Sequence, residues 1–252
     1  PMNLIASKGS ANSSRTAVSS SHPNRTLVIM AKAPKPGMVK TRLTESLPSS
    51  AVTALYHCLL EDTIALAKSL TNVEVAVICP DSDQDELAHL LDSRVQVVAQ
   101  KGEGLAAGLT FVFQHFTAAG RAHVIAFGSD SPHLAPSVLD SAFEILAMHD
   151  VIVGPTHDGG YYLVGAKAAH PSLFEGDSMG TRSALDRLLT RTKVLELSTG
   201  FTEPFYDIDV ANDLIQLGRE LRLAPGKAPR TAGWFGECQQ AIAQLGHGAQ
   251  GL

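Results

Sequence analysis

The sequence is poor in the features that would commit a chain to a secretory route, a membrane or a nucleic acid. Its 252 residues hold three cysteines, Cys58, Cys79 and Cys238. They form an odd, scattered set with no C-x-x-C pair, which argues against a disulfide framework or a thiolate metal site and suggests reduced thiols in a cytoplasmic protein. No apolar run approaches the ~18 residues that a membrane span needs. The formal net charge of -5 leaves no basic surface of the kind general nucleic-acid binding requires, although it permits a local phosphate site. Several nucleotide and hydrolase signatures are also missing. Gly37-Met38-Val39-Lys40-Thr41 lacks the first glycine and the Gly-Lys pair of a P-loop. No G-x-G-x-x-G follows the first strand, and no G-x-S-x-G elbow occurs. The ten histidines show no ligand spacing.

What remains has the composition of an ordinary globular enzyme, 44% hydrophobic and 18% charged, and is long enough to bury a full core. Residues 1–24 are rich in Ser, Ala and Asn without hydrophobic period, and are expected to be unstructured. Pro1 ahead of Met2 has the look of a cloning remnant, with Met2 the expected natural start. Residues 25–223 read as one domain without repeat or linker, and 224–252 as an extension that either packs on it or mediates contacts. Within the domain, strands at 27–30, 73–79, 95–98, 123–127, 151–153, 161–164 and 194–197 alternate with helices near 50–70, 83–91, 104–116, 136–148, 181–189 and 211–223. A weak helix is expected near 238–245. Ser49 or Ser50 is a plausible cap for the first helix. This alternation implies an α/β fold with a mainly parallel sheet covered on both faces, whose ligands gather at the carboxyl ends of the strands.

The first strand, Leu27-Val28-Ile29-Met30-Ala31, has no polar interruption and reads as buried on both faces. The loop after it is broken by Pro34, Pro36 and Gly37 and carries Lys32, Lys35, Lys40 and Arg42. Four cations on a constrained loop at a strand's carboxyl end suit a phosphate, the alternative being a solvated basic loop. Asp130 follows another apolar strand between Ser129 and Ser131. It suits Mg²⁺, which uses one or two carboxylates plus ligand phosphates, or else it caps a turn. Phe205-Tyr206-Asp207-Ile208-Asp209-Val210 alternates, so Asp207 and Asp209 would share one face of a strand. Two such carboxylates repel unless something positive lies between them. Asp213 falls in the first turn of the next helix, where a carboxylate favours the dipole. Asp158-Gly159-Gly160-Tyr161-Tyr162 suits a substrate pocket and suits an ordinary hairpin turn equally.

Four motifs in order carry a family resemblance: residues 28–43 (V-I-M-A-K-A-P-x-P-G-x-V-K-T-R-L), 128–134 (G-S-D-S-P-x-L), 154–165 (G-P-x-x-D-G-G-Y-Y-L-x-G) and 207–214 (D-I-D-x-x-x-D-L). Across residues 26–223 the chain resembles the DUF2064 family, GT-A-fold glycosyltransferase-like proteins, some associated with radical-SAM and arsenosugar gene neighbourhoods. Two of the motifs are also similar to 2-phospholactate guanylyltransferases and molybdenum-cofactor nucleotidylyltransferases. The resemblance implies a three-layer Rossmann-like GT-A sheet and metal-assisted transfer, with Mg²⁺ or Mn²⁺, from a nucleotide-activated donor to a small-molecule acceptor. Sugar transfer is the first expectation. Nucleotidyl transfer from an NTP with release of pyrophosphate is the second, and a non-catalytic nucleotide-binding protein the third.

By position, Ala31, Lys32, Pro34, Gly37, Lys40, Thr41, Arg42 and Ser129 would hold the nucleotide, and Asp158, Gly159, Gly160, Tyr161 and Tyr162 the acceptor side. Asp130, Asp207 and Asp209 would hold the metal, and Lys40, Asp130 and Asp209 the chemistry. No nucleic acid or membrane is expected, and monomer and homo-oligomer are both open. The chain departs from the family in three places. Residues 102–108 lack an expected Arg, Met179 stands where a Trp is expected, and Ser131-Pro132 follows Asp130 where many sugar transferases have a second Asp. The last departure favours nucleotidyl transfer.

Overall fold

The computed structural model describes residues 24–175 and 183–238. The expectations for residues 1–23, for Met179 and for the stretch after Cys238 fall outside them. Seven strands form one sheet: β1 (Arg25–Met30), β2 (Val73–Cys79), β3 (Gln96–Ala99), β4 (His123–Gly128), β5 (Val151–Pro155), β6 (Tyr161–Ala166) and β7 (Thr199–Phe201). Their order is β3-β2-β1-β4-β6-β5-β7. All pairings are parallel except the two made by β6, so the sheet is mainly parallel and mixed. Leu27, Val28 and Ile29 of β1 are fully buried, as an uninterrupted apolar run at the sheet's centre requires.

Side-chain alternation sends neighbouring strand residues into two cores. Leu27 and Ile29 meet α1 (Ser49–Lys68), α2 (Gln84–Leu90) and α4 (Pro136–Met148) through Leu60, Leu87 and Phe143. Val28 meets α3 (Gly104–Ala118) and α5 (Ala184–Val194) through Phe113 and Leu188. A third core lies against α1, where Leu55 and Leu59 pack with Leu217 of α6 (Ala211–Leu223) and Trp234 of α7 (Pro229–Glu237). The three-layer α/β fold is therefore present, and residues 229–237 pack on it as part of the same body.

Three local expectations are corrected. Residues 194–197 are not a strand. Helix α5 reaches Val194 and closes with Glu196 in the left-handed region (φ 54), where Glu196 N–H and Leu197 N–H bond the carbonyls of Lys193 and Thr192. That is a Schellman ending, and it postpones the strand to Thr199. Residues 205–210 are not a strand either. Phe205 makes one isolated bridge to Thr156, and Ile208 N–H reaches Asp130 O, so the segment runs across the ends of β5 and β4. Helix α1 has Pro48 as its N-cap and no side-chain cap bond, so neither Ser49 nor Ser50 serves.

Helix α7 is held through Asp62, a carboxylate only 2% exposed on α1. It accepts the backbone N–H groups of Arg230 and Thr231 and the Thr231 hydroxyl. A buried acid is tolerated there because it meets otherwise unpartnered donors at a helix start. Asp62→Ala is expected to lower stability by about 1–3 kcal/mol, since it removes a cap and strands buried donors. The check is urea unfolding followed by Trp234 fluorescence; an unchanged midpoint would contradict the assigned role.

Candidate active site

After β1 the chain moves outward to β2 and β3, and then β4 lands on the other side of β1. The loops leaving β1 and β4 therefore diverge, and a crevice opens at their carboxyl ends. A cleft of about 1200 Å³ occupies it, lined from the loops after β1, β2, β3 and β4.

Lys40 stands at its floor. The backbone there is left-handed (φ 47, ψ 44), a conformation that costs a non-glycine residue on the order of 1–3 kcal/mol. The side chain is 8% exposed, and its Nζ lies 2.5 Å from Asp130 Oδ2 and 2.8 Å from Asp209 Oδ1. Burial alone would depress the ammonium's pKa, but the two carboxylates outweigh it and hold the pKa above the usual lysine value. The same lysine outweighs burial at Asp209 and holds that carboxyl low. Asp207 goes the other way, raised by burial and by the charge of Asp130. Its Oδ1 accepts a hydrogen bond from the Ser131 hydroxyl, 2.9 Å away. A positive group does lie between two carboxylates, but they are Asp130 and Asp209 and the group is Lys40; Asp207, expected to share a face with Asp209 and to hold metal, bonds Ser131 instead and does not line the cleft.

The surroundings hold this arrangement in place. Tyr56 of α1 accepts the Lys32 N–H at 3.0 Å and bonds the Ser129 hydroxyl at 3.1 Å, which ties α1 to both loops. Burial raises the Tyr56 phenol, keeping it neutral. A Cβ added at Gly128 would stand 2.5 Å from Asp130 Oδ1, so glycine is what lets that carboxylate fold back over the strand end. The segment after β3 still lines the cleft without the expected Arg. Gln100 props it instead, donating from Nε2 to the carbonyls of Gly102 and Gly104.

Of the expected nucleotide residues, Ala31, Lys32, Lys40, Thr41, Arg42 and Ser129 line the cleft, together with Asp130 and Asp209. Pro34 and Gly37 shape the loop without lining it. Lys35 lines the cleft but is paired with Asp83 at 2.6 Å, and Asp83 also accepts the Ala33 N–H. It braces the loop. Asp158, Gly159, Gly160, Tyr161 and Tyr162 do not line the cleft. The Asp158 carboxylate accepts from the Thr156 hydroxyl and Gly160 N–H, which is the hairpin-turn reading. Tyr162 is 3% exposed, bonded to Thr202 and packed edge-on to Phe127, a core residue and not a pocket wall. Tyr161, one residue earlier, faces the opposite core. Sequence reasoning missed Tyr56, Gln100 and Asp83. Tyr56 falls on the apolar stripe of α1 and reads there as core; no sequence signal separates it.

Residues 63–181 match the family model described as an uncharacterized protein conserved in bacteria (DUF2064), so the resemblance drawn from the motifs holds across that stretch. No curated protein matches the chain by sequence. A Desulfovibrio desulfuricans G20 protein, provisionally described as a nucleotide-diphospho-sugar transferase, is similar in structure, with TM-score 0.82 and 24% identity over 88% of this chain and 98% of that one. A nucleotidyl transferase from Methanothermobacter gives 0.53 and 19%, covering 79% and 99%. A cytidylyltransferase from Leptospira borgpetersenii gives 0.52 and 13%, covering 89% and 97%. At these identities the likeness establishes a shared fold.

Behind the carboxylates lies His133, 2% exposed, between the rings of Phe205 and Tyr206 at 4.8 Å each. Both ring nitrogens are buried without a hydrogen-bond partner, and burial pushes the imidazole down to about 4. A base depressed in the fold contributes fully above its ordinary value of about 6.5. As pH falls through that value toward 4, the unfolded chain takes up a proton that the fold refuses. Stability should then decline by up to about 1.4 kcal/mol per pH unit. His133→Phe is expected to remove part of that decline in urea unfolding at about pH 7 and pH 5; an equal loss in both proteins would contradict it.

Proposed function

We propose that this protein is a metal-dependent transferase using a nucleotide-activated donor, with glycosyl transfer from a nucleotide sugar to a small-molecule acceptor as the first reading. One observation carries it: a cleft at the β1/β4 switch point whose floor joins Lys40 to Asp130 and Asp209 while Lys32 and Arg42 line its walls. Lys32 is exposed and makes no ion pair among the described residues, and Arg42 is 64% exposed at 3.8 Å from Asp209. Both are free to meet phosphate oxygens. The structural similarity to the Desulfovibrio protein supports the sugar-donor reading. In that reaction the acceptor's hydroxyl oxygen bonds to the anomeric carbon as the bond from that carbon to the diphosphate breaks; the electron pair leaves on the nucleoside diphosphate and the hydroxyl proton passes to solvent. The cations neutralise the charge that develops. Reduced thiols and the absence of any helix long and apolar enough to cross a membrane among the described residues are in keeping with a cytoplasmic setting.

The carboxylates do not form an all-protein cage; among the described residues no group of three acidic, His or Cys ligands has metal geometry. They fit an ion that brings phosphate ligands with it, as Mg²⁺ does. Asp130 and Asp209 would then hold it, and it would supply further charge neutralisation at the leaving diphosphate.

A second reading has its own observation. Ser131, where a second metal-facing acid would sit, is fully buried and bonds the Asp207 carboxylate and Tyr206 O. A single acid in that loop favours nucleotidyl transfer, in which an acceptor phosphate oxygen attacks the α-phosphorus of an NTP and pyrophosphate leaves.

The test is thermal unfolding with each NTP and common nucleotide sugar, with Mg²⁺ or Mn²⁺ and with EDTA. A ligand at a hundred times its Kd stabilises by about 2.7 kcal/mol. A metal-dependent rise with a nucleotide sugar is expected, abolished by EDTA and by Asp130→Asn. A rise with NTPs alone would select the second reading, and no rise with any donor would refute both.

A further inference from the structure

Resting on that reading, we propose that Lys40 is the chain's internal substitute for the divalent cation. In the ligand-free protein its ammonium fills the place between Asp130 and Asp209 and keeps metal out. A nucleotide's phosphates then draw it away, so that metal and nucleotide enter together.

Three observations converge on this exchange. Lys40 Nζ bonds Asp130 Oδ2 and Asp209 Oδ1 at once, at 2.5 and 2.8 Å, engaging an oxygen of each acid an incoming ion would need. The ammonium and a divalent cation cannot share those oxygens without bringing like charges together in a partly buried site. The backbone beneath the side chain is pinned, because Lys40 O accepts the Leu43 N–H and starts the 3₁₀ turn Thr41–Glu45. The four-carbon stem remains the part that can move. Among the described residues no second cation bridges the two acids. Arg42 approaches only Asp209, at 3.8 Å and largely in solvent, and Lys35 is held by Asp83. If Lys40 leaves, the carboxylates must therefore take another positive partner, and phosphate oxygens lined up by Lys32 and Arg42 give the ammonium its own new partner. Binding of metal and of nucleotide is coupled through one side chain, and the coupling is reciprocal.

The experiment measures Mn²⁺ binding to the full, nucleotide-free chain from the loss of the free-ion paramagnetic resonance signal. The wild type is expected to bind weakly. Lys40→Gln, which removes the charge, should bind Mn²⁺ at least about tenfold tighter, and the Lys40→Gln/Asp130→Asn double variant, which also removes one of the ligating acids, should lose that gain. Lys40→Arg keeps the charge and should bind as weakly as the wild type. Circular dichroism verifies folding, and Lys40→Met, whose apolar stem fills the same buried channel, replaces Lys40→Gln if the latter does not fold. Equal Mn²⁺ affinity in the wild type and the uncharged variant would overturn the proposal, as would an Lys40→Arg variant that gains affinity equally. A wild type that shows metal-dependent nucleotide stabilisation while the variants show no gain refutes only the exchange. Gain in the variants with no nucleotide response in the wild type refutes only the transferase reading.

Discussion

A single buried ammonium binds together parts of the chain that the sequence keeps far apart. Lys40 sits 90 residues from Asp130 and 169 from Asp209, and all three meet because β1 and β4 are neighbours and the segment after β7 crosses their ends. Two carboxylates facing one another in a cleft repel, and burial adds to the cost. Lys40 compensates both, and its left-handed backbone is accepted for that placement. Around it, each full burial of a Leu, Ile or Phe side chain contributes roughly 1.5–3 kcal/mol. With Leu27, Ile29, Phe113, Phe127 and Phe143 all essentially inaccessible, the cores can carry one strained residue at the site.

Helix α1 couples the site to the rest of the molecule on two sides. Inward, its Tyr56 and Thr63 reach Ser129, and Tyr56 also takes the Lys32 N–H. Outward, Asp62 receives the start of α7, and Ala51 O accepts the Trp234 indole N–H. One helix thus fixes the register of the β1 and β4 loops and carries the C-terminal packing as well. The cleft walls are rigid where α1 braces them and rest on glycine-rich backbone after β3, where Gly102 and Gly104 both take positive φ. A charged floor beneath a glycine-rich wall suits a ligand with a constant phosphate portion and a variable remainder.

Much of this was legible in advance where one period dominates. Apolar runs identify β1 and β4 because a strand covered on both faces needs no polar side, and β-rich composition ended by Pro80 identifies β2. Pro136 at a helix start and one apolar face define α4. Reading failed where a tertiary partner decides. Residues 194–197 are β-prone, yet the helix before them ends in a left-handed turn that consumes the first of them. The alternation at 205–210 looks like a strand, but Phe205 and Ile208 are pulled into separate cores. The two tyrosines of the hairpin look like pocket lining; strand alternation sends them to opposite faces of the sheet, Tyr162 buried and Tyr161 half-buried.

Charge tells the same story at finer scale. The four cations of the first loop are visible as a cluster, but their roles differ by partner. Lys35 is claimed by Asp83, Lys40 by two acids, and Lys32 and Arg42 are left largely in solvent. The sequence by itself determined the alternating α/β architecture, the loop that carries the cations and the strand end that carries Asp130, because those follow from hydrophobic period and from Pro and Gly. Only the tertiary structure decided which cation lies between which acids, and that Tyr56 belongs to the site. Ion pairs and buried hydrogen bonds are short-range, and which groups come within range depends on strand order and not on distance along the chain.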